Sequence, residues 1–400
     1  MTTPALSARR SFPLPQTRNE VRRMTSTTTS RARISQSVFD GSRLRVILLL
    51  DLYDGAQQQF LEAYEVMRKQ VAGVPGHISD QLCQSIENPS QWLITSEWES
   101  APPFLAWVNS EEHVEMVKPM HSCVRDTRSM RYSILRETGA QRPLTPETAA
   151  GEQVAARVGD GVTRHALTFT VKPGSESKVA ELLAGYESPE AQVDENTRLR
   201  RTSLFMHGNR VVRAVEVEGD LLSALRHVAR QPGVRAVEEA INPYLEQDRD
   251  LTDPESARVF FTRAALPAVH HVVSARPEPA GLRRHALYYP AKEGRGTDLA
   301  RLLAQQDAEA AVDPDSPVYG STVFQRDDVV VRLVDVEGEL DLDPVAALGV
   351  KGARKAKVLE RLLDGAAIGV EGSLDNERNL NRLLSHADML PVTDRRAADS

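Results

Sequence analysis

An internal duplication constrains the fold more than any other feature of the sequence. The segment Arg164-His165-Ala166-Leu167 recurs as Arg284-His285-Ala286-Leu287, an offset of 120 residues (284 − 164). After a one-residue deletion, the run from Arg213 to Gly219 matches the run from Arg332 to Gly338 at an offset of 119 (332 − 213). Agreement over this length is typical of a repeated structural unit. The sequence therefore contains two copies of one module, at 163–272 and 282–394.

Each copy has the same predicted order of elements. In the first copy a strand at 165–171 is followed by a helix at 177–185, a hairpin about His207-Gly208-Asn209, a helix at 221–228 and a closing strand at 257–262. The segment 44–135 follows the same order with different residues. The order β-α-β-β-α-β is the ferredoxin-like signature. The sequence therefore predicts an α+β fold of three ferredoxin-like modules.

The predicted domain boundaries follow from composition. A disordered basic leader occupies 1–42, the first module 43–138, polar linkers 139–162 and 273–281, and a tail 395–400. A ferredoxin-like sheet covers one face with its own helices, so the other face needs a partner. We expect the modules to pair as units of dimeric α+β-barrel type, in a homodimer or as an intrachain pseudo-dimer. A cavity for a flat aromatic ligand is expected between the paired sheets.

Composition argues against several classes of function. The formal net charge of −7 does not favour whole-chain nucleic-acid binding. The longest strongly apolar run, Val46 to Leu50, is far shorter than the roughly 20 residues that a membrane-spanning helix needs. Two cysteines, Cys83 and Cys123, give neither a disulfide framework nor a zinc spacing, which favours a reducing, cytoplasmic location. Without a Gly-rich phosphate loop, no nucleotide or flavin cofactor is predicted, and no metal.

The first module resembles the antibiotic-biosynthesis monooxygenase family through Val74-Pro75-Gly76, Trp98-Glu99-Ser100 and Phe104-Leu105-Ala106-Trp107. In anthrone monooxygenases of this type, a Trp at the position of Trp98 lines the cavity, and O₂ oxidises an anthrone without flavin or metal. The resemblance thus implies a catalytic role for Trp98, with O₂ as the co-substrate.

Other cavity positions of that family can be carried over from an alignment on Trp98. They fall on Gln84, Ile94, Phe104 and Lys118, where those relatives have His, Asn, Tyr and Arg. Phe104 and Lys118 are therefore implied substrate-binding residues. His113 is a candidate catalytic base, and His77 and His121 are also available as bases.

The repeated modules resemble tetracenomycin-type polyketide cyclases in Arg200-Arg201, Leu204-Phe205 and the run from Arg213 to Glu218. The tandem layout resembles the SchA/CurD-like proteins of bacterial aromatic polyketide, or spore-pigment, clusters. In the cyclase-like relatives an acidic residue ends the first helix and faces the cleft. That position falls on Glu187 and Asp307, which are again 120 residues apart (307 − 187).

The resemblance implies roles for these residues. Partial burial raises the pKa of a carboxyl group, so Glu187 and Asp307 are expected to move protons during aldol condensation and enolisation. Arg201 is a catalytic candidate because a fixed cation can stabilise an enolate. Five further positions are implied as substrate-binding: Tyr186, Phe205, Arg213, Phe324 and Arg332.

These features predict a protein of aromatic (type II) polyketide biosynthesis. It would act as a cyclase or aromatase, as a cofactor-independent monooxygenase, or as both, on a polycyclic phenolic or poly-β-keto intermediate. Cyclisation is slightly favoured because the acidic position is retained in both copies. The alternative is a non-catalytic chaperone that binds a reactive polyketide, or a scaffold for other enzymes of the cluster.

Overall fold

The computed structural model describes residues 34–137 and 159–397, apart from 339, 341–342, 351, 369–372 and 375. Most of the predicted leader and of the first predicted linker lie outside the described residues. The end of the predicted leader is structured, however, because β1 (Ile34–Ser37) pairs along residues 270–273. The predicted boundary at 42 is therefore too late.

The first module is a four-stranded antiparallel sheet with helices on one face. Its elements are β2 (Leu44–Leu52), α1 (Gln57–Val71), β3 (His77–Gln84), β4 (Gln91–Trp98), α2 (Ala101–Val108), α3 (Glu111–His121) and β5 (Val124–Ser133), with strand order β3-β4-β2-β5. Helix α1 buries Phe60, Tyr64, Met67 and Val71, whose spacing of four, three and four residues forms one apolar stripe. On the opposite face of the sheet, Leu49 and Tyr132 are exposed.

The second module contains four α-helices where the sequence predicts two, and it ends in a helix followed by a strand. Its elements are β6 (Val162–Thr170), α4 (Glu176–Gly185), β7 (Arg198–His207), β8 (Arg210–Glu218), α5 (Leu221–Arg230), α6 (Pro232–Ile241), α7 (Pro254–Ala264) and β9 (Ala265–Val273). The segment 257–262, predicted as the closing strand, is part of α7. A short apolar run fits either structure, and here Phe260 and Ala264, one helical turn apart, are both buried. The closing strand follows directly as β9.

The third module repeats this order. Its elements are β10 (Arg283–Pro290), α8 (Gly296–Ala310), β11 (Val318–Arg326), β12 (Val329–Val336), α9 (Pro344–Leu348), α10 (Ala353–Leu362), α11 (Glu377–Ala387) and β13 (Leu390–Arg396). The second and third modules share one antiparallel sheet, in the order β10-β12-β11-β9-β6-β8-β7-β13.

The two repeated modules exchange their last strands. Strand β9 pairs with β6 of its own module over Ala265–Pro267 and with β11 of the third module from Ala268 onward. Equivalently, β13 pairs with β7 of the second module. Just before β13, the Met389 N–H donates to the Ala286 carbonyl of β10 at 2.9 Å, which brings the two ends of the sheet together. The predicted α+β fold with barrel-type pairing is confirmed, and this pairing lies within one chain.

The space between the paired sheets is filled with side chains. Phe205 and its repeat counterpart Phe324 are fully buried there. They pack with the inward residues Ala166, Val212, Ala214, Leu266, Ala286, Val331, Leu333 and Met389. Around Phe205 and Phe324, the described residues therefore form a packed core where the sequence predicts a ligand cavity. Phe205 and Phe324 belong to the barrel core, because the two rings occupy the volume that a ligand would need.

Candidate functional site

Both repeated modules place an arginine between their sheet and their helices. Arg213 lies on β8 opposite Leu167 and Leu204, and Arg332 lies at the equivalent position of β12. The neighbours of each arginine pack into the helix-side core of its own module. The two guanidinium groups therefore enter the layer between sheet and helices, and they face away from the barrel interior.

In the third module each guanidinium nitrogen of the arginine has a hydrogen-bond partner in the protein. Arg332 Nε lies 3.0 Å from Asp307 Oδ1, Nη2 lies 2.5 Å from the same oxygen, and Nη1 donates to the Ala347 carbonyl. Ser321 Oγ donates to Asp307 Oδ2 at 2.7 Å. Arg332 and Asp307 are both buried. Burial alone would lower the pKa of Arg332, but the carboxylate of Asp307 outweighs burial and raises that pKa above its ordinary value.

A tyrosine completes this closed arrangement. The Tyr289 hydroxyl donates to the Leu348 carbonyl at 3.1 Å, and burial raises the pKa of Tyr289 to about 12. Asp307 and Arg332, which the sequence predicts for catalysis and for substrate binding, are thus brought together as a buried ion pair. The structure shows them bonded to each other.

In the second module the arginine has a different partner. Arg213 pairs with Glu238, which comes from α6 and not from the end of the first helix. Arg249 Nη2 binds the other oxygen of the same carboxylate at 2.8 Å, and its guanidinium lies 4.7 Å from the centroid of the Phe260 ring. Burial alone would raise the pKa of Glu238, but the charges of Arg213 and Arg249 outweigh burial and hold that pKa below its ordinary value.

Tyr186 and Arg395 join the same group. Arg395 of β13 lies 4.8 Å from the centroid of the Tyr186 ring and donates to the Tyr186 carbonyl at 2.8 Å. Tyr186 also interacts electrostatically with Arg213. We call Tyr186, Arg213, Glu238, Arg249 and Arg395 the arginine cluster. Within it, Arg213 and Arg249 share the Glu238 carboxylate, and Arg395 contacts Tyr186.

Several buried donors of the arginine cluster have no hydrogen-bond partner among the described residues. They are Nε and Nη2 of Arg213, Nη1 of Arg249 and Nη1 of Arg395. A buried donor without a partner costs free energy, so it points to a ligand that completes the site. Excess positive charge makes an oxyanion the suitable ligand. The sequence indicates Tyr186 and Arg213 but not Glu238, Arg249 or Arg395, which the repeat does not mark.

Glu187 lies outside this group. Helix α4 has 10 residues and ends at Gly185, whereas α8 has 15 residues and carries Asp307 inside it. Glu187 is therefore exposed beyond the helix end. The equal spacing of Glu187 and Asp307 in the sequence does not place them equivalently in the fold.

Arg201 faces the barrel and not the arginine cluster. Its Nε and Nη2 bind Asp394 at 2.7 and 2.5 Å, and its Nη1 binds Asp335 at 2.9 Å. Arg284 also binds Asp335, at 2.7 Å, and extends these ion pairs to Glu216 at 2.6 Å. The expectation that Arg201 acts on an enolate does not fit this placement, because both of its terminal nitrogens are already committed to carboxylates.

The first module surrounds Trp98 with aromatic rings. Trp98 is fully buried, and its ring centroid lies 5.1 Å from His77, 5.4 Å from Phe104 and 5.5 Å from Trp107. The ring centroids of His113 and Trp107 lie 4.3 Å apart. Trp107 therefore lies between Trp98 and His113, the two predicted catalytic residues of this module. Burial and the nearby His121 lower the pKa of His113 to about 4.

Lys118 is not part of this aromatic group. It lies on the exposed side of α3, where it pairs with Glu115 at 2.6 Å. It lines a separate surface cavity of about 660 Å³, together with Glu111 and Arg263. Lys118, which stands where those relatives have Arg, is therefore positively charged but lies at the surface.

A polar chain beside Trp98 was not predicted. The Tyr64 hydroxyl donates to Asp80 Oδ2 at 2.6 Å, and Asp80 Oδ1 lies 3.3 Å from His77 Nε2. Burial and the hydrogen bond to Asp80 raise the pKa of Tyr64. Sequence reasoning missed this chain because Tyr64 fits the apolar stripe of α1.

The described residues contain no group of three or more His, Cys, Asp or Glu side chains that could hold a metal ion. In the same part of the chain, none of the helices is long and apolar enough to span a membrane.

Comparison with known proteins identifies two domains. Residues 43–119 match the family described as antibiotic biosynthesis monooxygenase, and residues 162–274 match the SchA/CurD like domain. Among solved structures, SnoaB, a cofactor-independent oxygenase from Streptomyces nogalater, is 11% identical with a TM-score of 0.23. The alignment covers 25% of this chain and 99% of SnoaB.

Curated relatives match nearly the whole chain. Polyketide synthase CurD of Streptomyces cyaneus is 70% identical over 364 residues, which cover 91% of this chain and 98% of CurD. The 42.8 kDa protein in the whiE locus of Streptomyces coelicolor is 63% identical, covering 92% of this chain and 91% of that protein. Protein SchA of Streptomyces halstedii is 60% identical, covering 92% of this chain and 97% of SchA. With these identities over such coverage, the chain belongs to the SchA/CurD family.

Proposed function

We propose that this protein acts in aromatic polyketide biosynthesis as a cyclase or aromatase, and that the arginine cluster of the second module is its substrate site. Relatives named for polyketide synthesis support the general role. The contrast between the two repeats supports the specific site. Arg332 has a protein partner at each guanidinium nitrogen, whereas Arg213 keeps two buried nitrogens without one.

The chemistry of cyclisation matches an excess of buried cations. A methylene between two carbonyl groups loses a proton, and the enolate carbon attacks a second carbonyl of the same chain. One C–C bond forms, the carbonyl oxygen becomes an alkoxide and takes up a proton, and loss of water then leads to an aromatic ring. The N–H groups of Arg213 and Arg249 would stabilise the oxyanion formed at each stage.

The other members of the cluster have distinct roles in this proposal. Glu238 stays ionised and acts as a positioning residue, since it holds the guanidinium groups of Arg213 and Arg249. Tyr186 supplies the hydroxyl group of the cluster, which would exchange a hydrogen bond with a substrate oxygen. Asp307 and Arg332 bond to each other in the third module, so that module would support the structure of the barrel without taking substrate.

Reconstitution with a minimal aromatic polyketide synthase tests this proposal. We expect Arg213→Gln to reduce the rate of correctly cyclised product by about 100-fold, the effect typical of losing one oxyanion donor. Arg230→Gln, on the exposed end of α5, should match the unmodified protein. If Arg213→Gln retains full cyclisation while its melting temperature is unchanged, the arginine cluster is not the substrate site. Tight substrate binding without any turnover would instead indicate a non-catalytic chaperone that binds the polyketide.

Oxygenation in the first module is the second candidate function. It is favoured by Tyr64, Asp80 and His77, which place an imidazole with a carboxylate 3.3 Å behind it next to the Trp98 ring. O₂ would be the co-substrate, and the proposal includes no further cofactor. With an anthrone under air, O₂ uptake that falls on His77→Gln but not on Arg213→Gln would assign oxygenation to the first module.

A further inference from the structure

A small cavity lies between the first module and the barrel. It is bounded by the start of β2, the start of α2, the end of β5 and the start of β9, and its volume is about 220 Å³. Its walls are mainly apolar: Leu44, Phe104 and Leu105 come from the first module, and Pro267 and Ala268 come from β9. This composition is that of a small-molecule site, because apolar walls enclose a few polar groups.

Arg131 supplies the charge of this cavity. Its guanidinium carbon lies 5.4 Å from the centroid of the Phe104 ring. Arg131 is exposed to solvent on β5, and among the described residues its side chain has no ion pair and no hydrogen bond. Its titratable neighbour is His165, and burial and the Arg131 charge lower the pKa of that histidine to about 4. At neutral pH a solvent-exposed positive charge without a carboxylate partner therefore borders the cavity.

The size of the cavity limits the ligand. At roughly 30 Å³ for each water molecule, 220 Å³ holds about seven waters. This is below the roughly 300–1,000 Å³ of pockets for drug-sized ligands, so one or two fused rings fit and four do not. The guanidinium group matches a carboxylate through two parallel hydrogen bonds.

We propose that this cavity binds an aromatic carboxylate of one or two rings, with its ring against Phe104 and Leu105 and its carboxylate on Arg131. The site uses residues of the first module and of β9, and no residue of the arginine cluster. It is therefore independent of the proposed cyclase site, but it shares Phe104 with the aromatic group around Trp98.

Calorimetric titration of the full chain with 2-naphthoate tests this proposal. We expect saturable binding that weakens at least tenfold in Arg131→Gln. Arg128→Gln is the matched control, because it removes another exposed arginine of the same strand that does not line the cavity and should leave the affinity unchanged. The neutral isostere 2-naphthamide should bind more weakly than 2-naphthoate, with the same affinity for the Arg131→Gln variant and the unmodified protein.

A second variant fills the cavity and keeps its charge. Ser133 lines the cavity at the end of β5, so Ser133→Phe should abolish 2-naphthoate binding without removing Arg131. Absence of saturable binding up to about 1 mM overturns the proposal, and so does equal affinity in Arg131→Gln. If Arg213→Gln loses the binding instead, the probe occupies the arginine cluster and the proposed site is wrong.

Discussion

Arg213 and Arg332 occupy the same position in two copies of one module, yet different elements supply their carboxylates. Glu238 comes from α6 in the second module, and Asp307 comes from α8 in the third. The residues around each pair diverge as well, since Tyr289 and Ser321 of the third module correspond to Phe169 and Thr202 of the second. Of these two differences, only Tyr289 against Phe169 adds a hydroxyl group to the third module, because Ser321 and Thr202 both carry one.

Asp307 and Glu187 should differ sharply in their effect on stability. Asp307→Asn leaves the buried charge of Arg332 without its counter-ion, so we expect it to lower the free energy of unfolding by about 3–5 kcal/mol. Glu187→Gln changes an exposed side chain and should stay within about 0.5 kcal/mol. Urea denaturation measures both. Equal effects would contradict the assignment of Asp307 to a buried ion pair.

Glu238 should make stability depend on acid pH. Its folded pKa is below the ordinary value of 4.5, so its ionised form contributes stability that is complete above that pH. The contribution is lost as the pH falls through the folded pKa. We expect the melting temperature to drop below about pH 4.5, and to drop less steeply in Glu238→Gln. Parallel melting curves for the two proteins would show that Glu238 is not held by the arginines.

At the scale of elements, the last strand of each repeated module is the feature that joins the second and third modules. Strand β13 covers the edge of β7, and Asp394 on β13 binds Arg201 on β7. Strand β9 covers the edge of β11 in the same way. Because an uncovered strand edge exposes unpaired backbone groups, both strands protect the sheet as well as extend it.

Truncation before Leu390 should therefore uncover β7. We expect amides of residues 201–206 to exchange with solvent much faster, and the truncated protein to aggregate. Amides of β10 that pair with β12 serve as the internal reference. Unchanged exchange along β7 would contradict its pairing with β13.

Local patterns predicted the elements well and their partners less well. The apolar stripe of α1 and the hairpin β7–β8 follow from spacing that any short window contains. The apolar run at 259–261 is too short to separate strand from helix, so the sequence predicts a strand where α7 forms. Strand alternation places Arg201 and Phe205 on one face, but only the partner module decides that this face is the barrel core. Glu238 could not be predicted, because its contact with Arg213 depends on how α6 packs.

At the scale of the whole molecule, the paired modules form one folding unit. Phe205 and Phe324 come from different modules and pack in a single core. Neither module can bury its inner face alone, so separation exposes a continuous apolar surface.

Cutting the chain between the repeated modules tests this coupling. We expect a fragment ending at residue 277 and a fragment starting at residue 278 to be insoluble when expressed singly, and to form a 1:1 complex when co-expressed. Size-exclusion chromatography with mass determination checks the outcome. A well-folded monomer of either fragment would contradict the shared core.

The covalent link between the two halves of the barrel has an evolutionary consequence. In a symmetric assembly of identical chains, every substitution is made twice, so a change that closes one pocket closes both. Tandem fusion removes that restriction, because each half mutates separately. One half can then lose its chemistry and specialise as a fixed wall, while the other keeps an open pocket.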